Sequence, residues 1–474
     1  MACSRREFLS LAGGGIGILA LNSMLCAQGL TTDLETNPMA PRPPHFRARA
    51  KSIIWLFMNG GPSHIDTWDY KPALVKANGK KLEGFDTTTA FFHEEVGPLM
   101  ASPFEFKQYG RSGAWASSLY PYLAQHVDKM AFIKSYQANS NNHSPALFMA
   151  NTGDTRMGRP CVGSWVTYGL GTENQSLPGF IVMSDSQGRG LPKGHAANWS
   201  SGFLPGAFQG TWVRSQGEPI PNLDRLDALT DEQQRQQIDF IGRLNAEQQQ
   251  RHPNDSELDA RIRSFELAYR MQSEATKCFE LDTEPEHVKR LYGIDDPRCG
   301  NFARQCLMAR RMVERGVRFV QIYSGGTANK QSWDGHFDII GNHTLFAGET
   351  DRPIAGLLAD LEQRGLLKDT LVVWGGEFGR LPISQIGTDQ PGRDHNPNAG
   401  CFWMAGGGVK GGTSYGETDE LGYKAVVNTV DIHDIHATLL YLLGMDHTKL
   451  TYVHNGRRFR LTDVSGRVLN DIIA

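Results

Sequence analysis

The sequence carries no surplus of charge of either sign. Its 48 lysines and arginines face 51 aspartates and glutamates, a formal net charge of −3. That balance removes the electrostatic case for a nucleic-acid partner. Cysteine is sparse: seven in 474 residues, at positions 3, 26, 161, 278, 299, 306 and 401, with no C-x-x-C pair. Such spacing fits neither a zinc knuckle, a dithiol redox motif nor a disulfide scaffold. There is no Gly-x-Ser-x-Gly elbow and no phosphate loop ending in Gly-Lys-Ser/Thr. Their absence excludes the α/β-hydrolase nucleophile turn and the Walker-type NTPases. The glycine run at 406–412 reads as a turn or bulge. Beyond the first 25 residues no apolar run is long enough to span a bilayer, so no transmembrane domain is expected once a leader is removed.

The first 27 residues look like that leader. Ser4-Arg5-Arg6-Glu7-Phe8-Leu9 precedes the Gly-rich apolar run LAGGGIGILAL. Paired arginines ahead of such a run resemble a twin-arginine export signal, with cleavage expected after Ala27. A periplasmic or extracellular location follows, with the twin-arginine export machinery as a partner. Residues 28–50, with the stretch MAPRPPHFRARA, read as a linker, and 51–474 as the folded part. A composition of 40% hydrophobic and 21% charged residues suits a globular chain.

Within the folded part, short apolar runs alternate with helical periodicity. Ser52–Met58 is apolar on both faces, as a buried parallel strand should be. Further strands are expected at 130–135, 179–184, 318–323, 370–374 and 401–405. Helices are expected from Ser144, over about 301–315, around Ile354, Leu357, Leu358 and Leu361, and over 435–443. The pattern predicts an α/β fold: a mostly parallel central sheet covered by helices on both faces. Residues 223–290 are rich in Gln, Glu and Arg and read as a helical insertion, with Pro253 separating two helices. In its second helix Leu258, Ile262, Phe265 and Tyr269 share one face.

Open α/β sheets bind ligands beyond the carboxyl ends of their strands. The polar residues just after each expected strand are therefore the candidates. These are His64 and Asp66, His143 and Ser144, Asp334 and His336, Glu377, and His395. Asp, Glu and His are the ligand set of zinc, and carboxylates also suit calcium or manganese. The expected cofactor is a divalent metal, zinc first, held by His64, Asp66, Asp334, His336, Glu377 and His395. Ser144 precedes Pro145 and reads equally well as a helix N-cap or as a nucleophile at a helix N-terminus, with His143 beside it in the catalytic set. His433, His436 and His447 read as surface or packing residues.

The phrases FMNGGPSHIDTWD, NHSPALFMANTG, SWDGHFD, DTLVVWGGEFGR, GRDHNPNAGCFWMAGGGVKGG and TVDIHDIHATLLYLLG resemble, in content and order, the DUF1501 family and through it the alkaline phosphatase and sulfatase superfamily. The resemblance spans residues 50 to 445. It implies an alkaline phosphatase-like fold, with Ser144 as nucleophile, Asp334 with His336 as a middle ligand pair, Glu377 as a late acid and His395 as the final histidine. It further implies a metal-dependent hydrolase of phosphate or sulfate esters, acting on a small-molecule or glycan ester. Two positions depart: Asn59 stands where the first aspartate of the superfamily ends strand one, and Phe378 where an Asp-His pair would have its histidine. Cys161 is followed by Val-Gly-Ser rather than x-Pro-x-Arg, so a formylglycine sulfatase is not expected. The alternative is a non-catalytic glycan- or surface-binding protein on the same scaffold.

Overall fold

The computed structural model describes residues 37–474 apart from 215–216, 222, 224–228, 253–255 and 387–388. The expected leader, residues 28–36 of the linker, and Pro253 lie outside the described residues. Eight strands form the main sheet: β1 (Ser52–Met58), β2 (Met130–Tyr136), β3 (Phe180–Met183), β4 (Thr211–Val213), β5 (Phe319–Ser324), β6 (Thr370–Gly375), β7 (Gly400–Gly406) and β8 (Thr413–Tyr415). Their spatial order is β8-β2-β7-β6-β1-β5-β3-β4. Every pairing is parallel except the two made by β7, which runs against both β2 and β6.

The centre of this sheet follows from β1. All seven of its residues are buried. Ile54, Leu56 and Met58 enter one apolar core, and Ile53, Trp55 and Phe57 enter the other. A strand apolar on both faces is stable only between other strands and beneath two helical layers. The longer helices are α1 (His143–Thr152), α2 (Val162–Leu170), α3 (Asp231–Arg251), α4 (Ser256–Phe279), α5 (Gly300–Glu314), α6 (Ile339–Gln363) and α7 (Ile432–Leu442), and all but α3 and α4 build those layers. Helix α5 with Phe302 and Leu307 and α6 with Phe346, Leu357 and Leu361 cover the first face. Helices α1, α2 and α7 cover the second through Leu147, Trp165 and Leu439.

Several boundaries differ from expectation. Helix α6 starts at Ile339, because Asp338 caps it: its carboxylate accepts from the Gly341 N–H at 2.9 Å. Helix α7 starts three residues early for the same reason, with Asp431 accepting from the Asp434 N–H. At α1 the cap is Asn142, not Ser144. In α4 Ile262 is buried but Phe265 is 61% exposed, so the expected apolar face does not point wholly inward. Helix α4 touches the body along one edge only, and α3 lies outside it. Among the described residues no helix is long and apolar enough to cross a membrane.

His436 on α7 shows how tightly the second layer closes. Its imidazole lies 6.2 Å from the Trp55 ring and its Nε2 donates to the Ala150 carbonyl at 2.9 Å. Burial, helped by nearby His433, pushes its pKa down to about 3. The unfolded chain holds that proton up to about pH 6.5. Between these values the unfolded state binds more protons than the folded one, so stability falls as pH drops through that window. His436→Gln, which keeps a donor for Ala150, is expected to flatten the fall. Denaturant midpoints measured from pH 7 to 4 check this, and parallel curves for the two proteins would contradict it.

Candidate metal centre

The site grows from the turn after β1. Asn59 sends its side-chain amide to the Gly325 and Gly326 carbonyls, at 3.2 and 2.7 Å, and its own carbonyl accepts from the Trp333 N–H at 2.9 Å. It thus ties the loop after β5 to the end of β1, which sets Asp334. Gly60 has φ of +113°, and a Cβ there would lie 2.6 Å from the Asp334 nitrogen. Only glycine fits this close approach. The Gly60 N–H donates to both Glu377 carboxylate oxygens, at 2.9 and 3.2 Å, which fixes the acid that follows β6.

Four buried side chains meet above this turn. His143 opens α1, Asp334 and His336 lie in the loop after β5, and His395 sits in the short strand Arg393–Asn396 of a three-stranded side sheet. One ligating atom from each can be chosen so that all lie within 4.8 Å of one another. Their exposures are 5%, 4%, 2% and 2%.

The second nitrogen of each imidazole decides the chemistry. His143 Nδ1 lies 2.7 Å from the Glu377 carboxylate, His336 Nδ1 2.8 Å from the Gln385 amide oxygen, and His395 Nδ1 2.5 Å from the Asn141 carbonyl. The Gln385 amide is oriented by its own NH2 group, which donates to the Glu95 carboxylate. All three partners are oxygens that accept, so each Nδ1 carries the proton and each neutral Nε2 presents a lone pair. Yet His336 Nε2 lies 2.8 Å from His395 Nε2, and these two lie 3.1 and 3.2 Å from Asp334 Oδ1. His143 Nε2 lies 3.1 Å from Asp334 Oδ2, and neither atom has a hydrogen-bond partner. Four acceptors facing one another in a dry pocket repel unless a cation sits among them. Ligands of a tetrahedral zinc site with bonds of about 2.0–2.1 Å lie about 3.3 Å apart, close to the separations here. The donor set therefore fits a divalent ion.

Electrostatics agree with that fit. Burial opposes ionisation of Asp334, but the Arg380 guanidinium, 2.7 Å from Oδ1, and the three imidazoles hold it well below the usual carboxylate range. Burial and the neighbouring His143 hold His395 well below the ordinary histidine value. Burial also opposes protonation of His143, but Asp334 and Glu377 outweigh it and raise its pKa.

The expected ligand set changes accordingly. The structure brings Asp334, His336 and His395 together and adds His143, which sequence reasoning placed in the catalytic set. Glu377 does not enter the ring of ligating atoms, because its carboxylate is spent on His143 Nδ1 and the Gly60 N–H. His64 and Asp66 are set aside by the short helix His64–Thr67 that follows Pro62. Asp66 receives the Arg393 guanidinium on both oxygens, at 2.7 and 3.2 Å, and His64 Nε2 is tied to the Gly422 carbonyl at 2.8 Å. Ser144 is half-buried and follows His143 on α1, so its side chain leaves the helix about 100° away from the histidine. Its N–H, not its hydroxyl, makes the cap contact, donating to Asn142 at 3.3 Å. Four functional residues escaped sequence reasoning: Arg380, Gln385, Asn141 and Lys193. Arg380 alone had a signal, in the phrase GGEFGR.

Aromatic rings pack against the imidazoles. Phe378 packs on His143 and His395, with centroids at 5.0 and 4.5 Å. Phe92 meets His336 edge-on at 4.9 Å, and Phe91, 40% exposed, lies 5.3 Å from His395. Lys193 reaches in from the loop after β3. Its Nζ is 2.9 Å from Asn329 Oδ1 and 4.0 Å from Asp334 Oδ2, with 28% of the side chain exposed.

The purified protein should bind about one divalent ion per chain, and His336→Ala should abolish that binding without unfolding the sheet. Glu377→Gln, which removes charge from the group orienting His143, should weaken zinc affinity about tenfold or more. Competitive titration with a chelating dye measures both. Unchanged affinity in both variants would place the ion elsewhere.

No curated protein matches the chain. Among solved structures it is similar to a lipoteichoic acid synthase from Listeria monocytogenes, with 9% identity, TM-score 0.37, 91% of this chain and 80% of that chain covered. It is also similar to a sulfatase from Pseudoalteromonas sp. (12% identity, TM-score 0.33, 94% and 76% covered). A third is the alkaline phosphatase of the Antarctic bacterium TAB5 (11% identity, TM-score 0.34, 84% and 99% covered). Likeness at this level leaves the activity to be argued from the site itself. Residues 50–473 match the family described as proteins of unknown function, DUF1501, and the chain belongs to that family.

Proposed function

We propose that this chain is an exported, metal-dependent hydrolase of phosphate or sulfate esters. The observation that carries the reading is the convergence of three imidazole Nε2 atoms and one carboxylate, two of them from the loop at the carboxyl end of β5, where open α/β sheets place their ligands, and His395 from the side sheet. His143, Asp334, His336 and His395 would hold the ion, with zinc the best match to this donor set and calcium or manganese poorer ones. When bound, such an ion supplies a Lewis acid for an ester oxygen and favours a nucleophile at neutral pH.

The protein's own residues do the rest. Glu377, Gln385 and the Asn141 carbonyl hold the three imidazoles in one tautomer. Arg380 keeps Asp334 ionised. Lys193, the partly exposed cation beside Asp334, is placed to take an anionic oxygen of the substrate. Burial, offset in part by Asp334 and Glu377, lowers its pKa from the ordinary lysine value. Phe378, Phe92 and Phe91 pack on the imidazoles and lower the local polarity, which strengthens each of these charges. Ser144, half-buried next to His143, is the candidate nucleophile. Export by the twin-arginine route rests on Arg5 and Arg6 ahead of the apolar run.

A second reading has its own observation. Four protein ligands complete a tetrahedral shell, which is the pattern of a closed structural site. A site of that kind belongs to a non-catalytic glycan- or surface-binding protein.

Turnover separates the two. Zinc-loaded wild-type protein is expected to hydrolyse an aryl phosphate or an aryl sulfate, and His336→Ala to lose both metal and turnover. Ser144→Ala should lose turnover while keeping the metal; full activity would remove the serine from the mechanism. Stoichiometric metal with no turnover on either ester would favour the structural site. Replacing Arg5 and Arg6 by Lys should hold the protein in the cytoplasm, and unchanged export would disprove the proposed route.

A further inference from the structure

Away from the metal centre, the chain builds a second site from arginines and rings. Helix α1, which opens with His143, closes ten residues later at Gly153. That length carries the chain about 15 Å from the metal cluster. There the loop 154–160 meets a β-hairpin formed by the strands Tyr452–His454 and Arg457–Phe459. The Phe459 ring is flanked by two guanidiniums, Arg159 at 4.6 Å and Arg457 at 4.7 Å from its centroid. Phe203 stacks on His454 at 5.0 Å and 16°, and Phe459 lies 4.9 Å from Phe203. A cavity of about 290 Å³ opens between these rings and the loop 154–159. That volume lies at the small end of ligand pockets.

The charge here is out of balance. Four arginines (156, 159, 457 and 460) share two carboxylates, in a chain whose total is negative. Asp154 serves both Arg156 and Arg159, and Asp463 serves Arg457. Arg156 keeps 80% of its side chain in solvent and Arg457 54%. Gathering like charges around one ring costs energy that cation–π contacts return only in part. An anion bound there would recover the rest.

We propose that this patch binds a sulfate- or phosphate-bearing oligosaccharide, holding its anionic groups on the arginines and an apolar ring face against the aromatic group. A single-stranded nucleic acid offers similar chemistry, but its sites track a charged groove over several nucleotides. This patch is one small cavity on a chain with no basic surplus, which favours a short saccharide. The site is separate from the metal cluster and stands whether or not that cluster is catalytic.

The test is calorimetric titration of the full chain with a sulfated tetrasaccharide, its desulfated counterpart and a single-stranded oligonucleotide of equal charge. The sulfated sugar should bind with salt-sensitive affinity and the other two should not. Arg156→Ser combined with Arg457→Ser should weaken binding about tenfold or more while circular dichroism and metal content stay unchanged, since both side chains are largely exposed. No binding of the sulfated sugar, equal binding of the desulfated one, an oligonucleotide bound as tightly, or an unaffected double variant would each overturn the proposal.

Discussion

Three imidazoles whose protons are committed outward leave three lone pairs and a carboxylate facing one another, and the functional end of the molecule is built around that conflict. The outward commitments are themselves buried and specific: a carboxylate for His143, a side-chain amide for His336, a backbone carbonyl for His395. Removing the acceptors from water costs several kcal/mol, and a divalent ion is the simplest agent that repays it. Arg380 answers part of the charge on Asp334 but faces only one of its oxygens. The orphaned pair, His143 Nε2 and Asp334 Oδ2, marks where positive charge is still required.

The sheet supplies the precision. Strands β1, β5 and β6 are adjacent and parallel, so their ends lie side by side, and the loops carrying Gly60, Asp334 and Glu377 leave from one edge. Gly60 lets the β1 turn approach Asp334 closely, and its N–H orients Glu377, which in turn orients His143. The side sheet adds His395 and Arg380 from neighbouring strands, paired with each other across the ladder. Thus the four ligating side chains come from three separate stretches of chain, each fixed by backbone contacts.

Much of this was legible in the sequence, for physical reasons. The run at 52–58 is apolar at every position, which leaves it only the middle of a sheet. Asp334, His336 and His395 follow predicted strand ends or a motif, and the fold collects them. The failures are equally physical. A glutamate between glycines after a strand looks the same whether its carboxylate meets a metal or the back of a histidine, so Glu377 was assigned one step too far inward. His143 and Ser144 are neighbours in sequence but diverge by about 100° on a helix, so the two could not share one role. His64 and Asp66 were drawn away by a four-residue helix and by Arg393, a partner more than 300 residues distant that no local pattern reveals. Asn59, where an aspartate was expected from the resemblance, is the residue that ties the Asp334 loop to β1. In α4 the period predicted a buried face, but the helix packs along one edge and Phe265 faces out.

The central claim is that His143, Asp334, His336 and His395 together hold one divalent ion. X-ray absorption at the zinc edge of the purified, zinc-loaded protein tests it most directly. The account predicts a light-atom shell at about 2.0–2.1 Å, with outer scattering from three imidazoles that falls to two in His395→Ala. A sulfur shell at about 2.3 Å, or an imidazole signal unchanged in that variant, would contradict it.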